Sequence, residues 1–180
     1  MATHSNEGWG PIGDVGMEAL ERLYRQLMID DEWAVRRPRG FTWWGYRLAQ
    51  HVDVAEPVAA RDGSMGCTVI VRTEVVRGVP RSHPAANALV NTVNMMQTMN
   101  ALVLDDRTGE ITECATINVH DDTLETWLPV LAVAALLQNA AAHSRAHALA
   151  AAVGGEPATS NHPVSGVRPA MRSEEHTSEL

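Results

Sequence analysis

Phe41-Thr-Trp-Trp-Gly-Tyr-Arg-Leu-Ala-Gln-His-Val-Asp-Val54 is the stretch whose reading decides the fold. Its even positions carry Trp44, Tyr46, Leu48, Val52 and Val54, with Gln50 the polar exception; its odd positions carry Trp43, Arg47, His51 and Asp53. Alternation with period two marks a β-strand with one apolar and one mostly polar face. The pattern predicts a single strand across the stretch, with Trp44 inward and Trp43 outward beside Arg47 and His51. Each indole can bury roughly 150–250 Å², on the order of 4–6 kcal/mol gross. Adjacent strand residues point to opposite faces, so the two tryptophans are expected to serve different surfaces.

Before this stretch, residues 1–13 are polar and glycine-rich and read as a flexible lead. Gly8-Trp-Gly-Pro-Ile-Gly13 fits G-x-G-x-x-G as a string, but no strand precedes it, as a dinucleotide fingerprint requires. From Asp14 to about Ile29, Met17, Leu20, Tyr24, Leu27 and Met28 recur at helical spacing, with Asp14 placed to cap the helix. Arg36-Arg-Pro-Arg-Gly40 reads as a loop.

After it, Asp62-Gly63 marks a turn, and part of a further strand is expected between Val54 and Cys67. Cys67 to Val76 is a strong strand with Cys67, Val69, Val71 and Val75 on one face. Residues 85–99 read as a helix with an inner stripe of Ala86, Leu89, Val90, Val93, Met96 and Gln97. Met95, Met96 and Met99 give its second half an adaptable apolar surface. Residues 101–120 form a hairpin about a turn from Asp105 to Glu110, with Ile111, Ala115, Ile117 and Val119 inward. Asp122-Thr-Leu-Glu125 matches a capping box with Asp122 as the cap. It opens the longest helix, which runs to about Val153 and stops at Gly154-Gly155. Residues 154–171 are Pro/Ser/Gly-rich and read as a linker.

One domain over residues 14–153 suits a chain of 180 residues. The formal charge of −8 argues against nucleic-acid partners. Cys67 and Cys114 are expected to be reduced strand residues, not a disulfide framework. The N-terminus has no basic segment followed by an apolar run, so no signal peptide is expected. The apolar stretch 128–153 is interrupted by Pro129, Gln138, Asn139, His143, Arg145 and His147, and reads as too polar to span a bilayer. A cytoplasmic protein without membrane partners is the expectation. Residues 172–180, Arg-Ser-Glu-Glu-His-Thr-Ser-Glu-Leu, match one reading frame of a common sequencing-library adapter. On that reading they are not native, the native chain continues differently after Met171, and the formal charge without them is about −6.

No catalytic constellation stands out. His143 and His147 lie four apart on a helix, but Ser144 follows where a zinc protease has Glu, so no metal is expected. His120-Asp121-Asp122 falls where a strand ends and a cap begins, and Asp105-Asp106 suits a hairpin turn. No G-x-S-x-G, P-loop or C-x-x-C is present, so neither enzyme activity nor a cofactor is expected.

The element order α-β-β-(β)-α-β-β-α predicts an α+β fold, a mainly antiparallel sheet with helices on one face. Together with Glu32-Trp-Ala-Val, Phe41-Thr-Trp-Trp, the strand at 67–76 and Ile117-Asn-Val-His-Asp121, that order resembles the type III secretion chaperones and YbjN-type proteins, in particular an actinobacterial branch described as peptide-binding chaperones. The resemblance implies a non-enzymatic module that dimerises and holds a segment of a client polypeptide. Trp43, Arg47, His51, Met95 and Met99 are then the expected partner-binding residues. An open edge strand would also admit a client strand. The competing expectations are an anion or small-ligand pocket, enzymatic or not, lined by Arg36, Arg39, Arg47 and His51, and an inert scaffold domain of a longer protein.

Overall fold

The 41–54 stretch is a hairpin, not one strand. The computed structural model describes residues 14–30, 34–81, 83–97 and 100–159. In it β2 (Gly40–Gly45) turns through Tyr46 and Arg47 into β3 (Leu48–Val54), with Gly45 paired to Leu48. Tyr46 and Arg47 both have positive φ, 50° and 67°, the conformation of a two-residue turn whose twist matches that of the flanking strands. Such a turn inverts the parity of the strand after it. Odd residues of β2 (Phe41, Trp43) and even residues of β3 (Leu48, Gln50, Val52, Val54) therefore share a face.

Before the hairpin come α1 (Val15–Gln26) and β1 (Ala34–Arg37); after it come β4 (Val58–Ala59), β5 (Met65–Arg77), α2 (Pro84–Met95), β6 (Ala101–Asp105), β7 (Glu110–His120), α3 (Leu124–Val153) and β8 (Glu156–Pro157). The strands form one antiparallel sheet in the order β1-β2-β3-β5-β7-β6, with β4 and β8 paired to β5. The fold is the expected α+β arrangement with an antiparallel sheet.

The three helices among the described residues pack on the same face. Under α1 and the first half of α3 lie Phe41, Val52, Val54, Val69, Val71 and Val119; Tyr24 of α1 meets Phe41 edge-on at 5.1 Å. Under α2 and the second half of α3 lie Leu48, Val75, Leu102 and Ile111. A bulge between Glu74 and Val76 turns both Val75 and Val76 into the core. Asp14 caps α1 as expected, its Oδ1 accepting from the Gly16 and Met17 amides at 2.9 and 3.1 Å. Gly154, at φ 69°, ends α3 in the left-handed conformation.

Five local expectations change: Arg36 and Arg37 lie in β1 rather than in a loop, Glu156–Pro157 of the expected linker pairs with β5, and three more concern the helices. Asp122 does not cap α3: Thr123 holds the N-cap position and makes no side-chain capping bond, and Asp122 lies exposed in the turn before it. The second helix ends at Met95, which leaves Met96 84% exposed rather than on an inner stripe. By length and composition α3 is apolar enough to cross a membrane, contrary to the sequence reading; in this fold 44% of its most apolar window is buried inside the structure.

Candidate functional site

The parity inversion separates the residues expected to bind a partner together. Trp43 sits on the helix side, partly buried against the core, and its Nε1–H donates to Gln50 Oε1 at 2.8 Å. His51 lies on the opposite face. Arg47 is in the turn between the strands. Met95 is 88% exposed at the end of α2, and Met99 lies outside the described residues. Trp44, expected inward, is buried on the face away from the helices, opposite Ala49 in the ladder.

Behind Trp43 runs a buried polar chain. Gln50 Nε2 donates to Thr73 Oγ1 (3.0 Å), to the Ala135 carbonyl of α3 (2.9 Å) and to Gln138 Oε1 (3.1 Å). Gln138 Oε1 also accepts from Thr73 Oγ1 (3.1 Å), while its Nε2 donates to the carbonyls of Val71 (3.3 Å) and Glu113 (3.0 Å). Every amide atom of Gln50 and Gln138 therefore has a partner, as burial demands. The chain fixes α3 across three strands.

On the helix-free face, Asp53 accepts from Arg37 (2.8 Å) and Arg72 (2.7 Å). Beside it Thr42 Oγ1 lies 2.8 Å from His51 Nδ1, and His51 Nε2 lies 2.9 Å from Glu74 Oε1. A hydroxyl, an imidazole and a carboxylate in series have the connectivity of a nucleophilic relay. Thr42, however, is 7% exposed and lies in a paired ladder, whose amides serve the sheet and not an oxyanion. The series reads as cross-strand pairing.

The four residues expected to line an anion pocket do not converge. The Arg36 guanidinium stacks over Tyr24 at 4.5 Å on the helix side. Arg39 donates to Asp14 (2.7 Å) and to the Ala55 carbonyl (2.8 Å), with Glu56 at 3.4 Å. The hydrogen bond from Arg39, backed by the backbone amides, holds the Asp14 carboxyl below the usual carboxylate range. Arg47 occupies the hairpin turn and His51 the far face. Among the described residues no three His, Cys, Asp or Glu side chains are grouped to hold a metal.

Nor is the β6 edge open along its length. Asn94 of α2 presents its amide to Leu102 as a strand would: Oδ1 accepts from the Leu102 amide (2.6 Å) and Nδ2 donates to its carbonyl (2.9 Å). An incoming strand would have to displace Asn94 there.

A concave site does form on the outer side of α3. Trp127, Val130, Val133, Leu136 and Leu137 are all exposed, Leu137 by 64%. Between this stripe and the end of α2 lies a groove of about 670 Å³ lined by Met96, Gln97, Asn100, Val130, Val133 and Leu137. The walls are apolar apart from the two amides. Sequence reading identified methionines beside the groove but missed α3 as its main wall. The signal was present: Leu128, Leu131 and Ala135 already supply a core stripe, so Val130, Val133 and Leu137 make a second apolar face.

Behind Asn100 of the groove lining lies Glu113, buried completely on β7. Its Oε1 accepts from Asn100 Nδ2 at 3.0 Å, and its Oε2 lies 3.6 Å from Arg145 Nη1. Burial pushes the carboxyl above its usual range, against the opposing pull of Arg145 and Asn100. Its position was legible from strand alternation, since 111, 113, 115, 117 and 119 share one face.

No family model matches the chain, and no curated protein is significantly similar to it.

Proposed function

We propose that this chain is a non-enzymatic binding module that holds an apolar segment of a partner polypeptide in the α2–α3 groove. The observation that carries the reading is the second apolar face of α3, left exposed beside Met95 and Met96. Isolated exposed apolar side chains are ordinary, but a contiguous stripe bordering a groove is characteristic of a docking surface. Methionines at its edge add a surface that adapts to varied side chains. On this reading the partner lies on the helix layer rather than around Trp43 and His51. The resemblance to chaperones that hold client segments points the same way.

A second copy of the chain is a further reading with its own support. Along the strip of α3 that carries Val130, Val133 and Leu137, the residues that follow at helical spacing, Ser144, Ala148 and Ala151, are small and exposed, with His143 and His147 exposed beside that strip. Two such helices packed antiparallel would lay the large half of each on the small half of the other.

An array of peptides of about 15 residues graded in apolar content, probed with purified protein and with Leu137→Glu, tests the reading. Binding is expected to rise with apolar content and to fall at least ~10-fold in the variant. An unchanged pattern in Leu137→Glu would remove the groove from the proposal. Sedimentation of the same samples separates the two occupants: a dimer that dissociates on Leu137→Glu makes the second copy the occupant.

A further inference from the structure

Gln97 and Asn100 are the two amide-bearing residues of an otherwise apolar groove lining, and both lead to one buried carboxylate. Asn100 donates directly to Glu113. With its amide turned so that the oxygen meets the guanidinium, Gln97 accepts from Arg145 Nη1 at 2.5 Å and donates to the Asn100 carbonyl at 3.3 Å. Arg145 in turn faces Glu113 Oε2. Arg145 lies one helical turn beyond Ala141, which also lines the groove, so the cluster closes the groove's far end.

We propose that Glu113 is a proton-sensitive anchor for the α2–α3 groove: ionised, it holds Asn100 directly and Gln97 through Arg145; protonated, it loosens its hold on both. The proposal rests on the groove being the binding site. The ion pair with Arg145 and the charge-assisted bond from Asn100 both require the anion, and among the described residues no other group bonds to Oε2. The elements around Glu113 contribute Leu102 from β6, Thr73 from β5, Gln138 and Arg145 from α3, and Asn100. Arg145 is the one charged group among them. Because burial raises the Glu113 carboxyl, the change falls at higher pH than for a solvated glutamate. Adding a proton removes the pull on Arg145 and weakens the bond from Asn100, so the groove's polar end loses its fixed geometry.

Nile red, a neutral dye that fluoresces in apolar sites, is the probe. Wild-type protein titrated with dye from about pH 8 downward, as far as near-ultraviolet circular dichroism shows it folded, is expected to lose affinity ~5-fold or more as Glu113 takes up its proton. Glu113→Gln, which mimics the protonated form, should bind weakly and without a pH step. Asn100→Ala, which removes one tie from the groove side and leaves the buried carboxylate in place, should weaken binding at pH 8 and shrink the step. It keeps the test available if Glu113→Gln does not fold, as judged by near-ultraviolet circular dichroism. His143 and His147 also lie on α3, so the double change to glutamine is made in parallel and should retain the step. A flat wild-type profile, wild-type affinity in Glu113→Gln, or a step that disappears with the two histidines would overturn the proposal. The groove itself fails separately: dye binding that survives Leu137→Glu means the dye, and the apolar site, lie elsewhere.

Discussion

Replacing Gln138 with leucine tests the polar chain that fastens α3 to the sheet. The side chain is fully buried and makes four hydrogen bonds, to Gln50, Thr73 and the carbonyls of Val71 and Glu113. Leucine has a similar volume, so no sizeable cavity opens. Each lost bond is worth about 1 kcal/mol net, and the Thr73 hydroxyl is left buried without its acceptor at a further cost of about 1–3 kcal/mol. Burial of the new apolar side chain offsets about 1.5–3 kcal/mol. The expected net loss is about 2–5.5 kcal/mol, or a fall in Tm on the order of 4–22 °C for a chain of this size. Guanidinium unfolding followed by tryptophan fluorescence measures it, and an unchanged m value would confirm that stability alone has moved. Adding Thr73→Val removes the orphaned hydroxyl and should recover about 1 kcal/mol or more, so that the double mutant is less destabilised than the sum of the singles. A single-mutant loss below about 1 kcal/mol, or strictly additive effects, would refute the claim that these groups act as a unit.

Other regions give independent tests. Asp14→Ala removes both the cap of α1 and the partner of Arg39, and should cost about 1–2 kcal/mol at neutral pH. Since the folded Asp14 carboxyl is held below its unfolded value, its contribution is present above the ordinary carboxylate range and lost as pH falls through the depressed value. Unfolding curves at neutral and acid pH should therefore converge for wild type and variant at the acid end; a constant gap would refute the assignment. Cys67 is buried, with its thiol pushed up to about 11, while Cys114 is half-buried on the other sheet face. Disulfide reagents at about pH 8 should label Cys114 first and Cys67 only on unfolding, as mass spectrometry of digests can record. Asn94→Ala exposes the Leu102 peptide at the sheet edge and should raise light scattering on incubation; an unchanged rate would mean the edge needs no such cover.

How much of the candidate site could be read in advance depended on what each residue needed. Met96 was assigned to the inner stripe because helical spacing was carried to residue 99, past the point where the helix stops at Met95. Trp43 and His51 were placed on one surface because alternation carries across a stretch only while it remains a strand. The turn at Tyr46-Arg47 carries neither Asn nor Gly, the residues that usually announce positive φ, so local chemistry gave no notice of the inversion. Glu113 and Gln138 went unassigned because a buried polar residue is explained by its partners, and theirs are distant in the chain.

By itself, the sequence determined the local architecture: the Asp14 cap, the strand at 67–76, the hairpin about Gly109, the long helix and its glycine stop, and from their order an α+β fold with an antiparallel sheet. These depend on interactions within a few residues or on periods of two and 3.6, which a linear chain displays. Only the tertiary structure decided which tryptophan faces the helices, that one face of α3 meets the sheet while another lines a groove, and that Glu113, Arg145, Asn100 and Gln97 meet at that groove's end. Those outcomes depend on register and on helix rotation against the sheet. Both are set by packing between residues far apart in sequence, and a one-residue shift in either would reverse them.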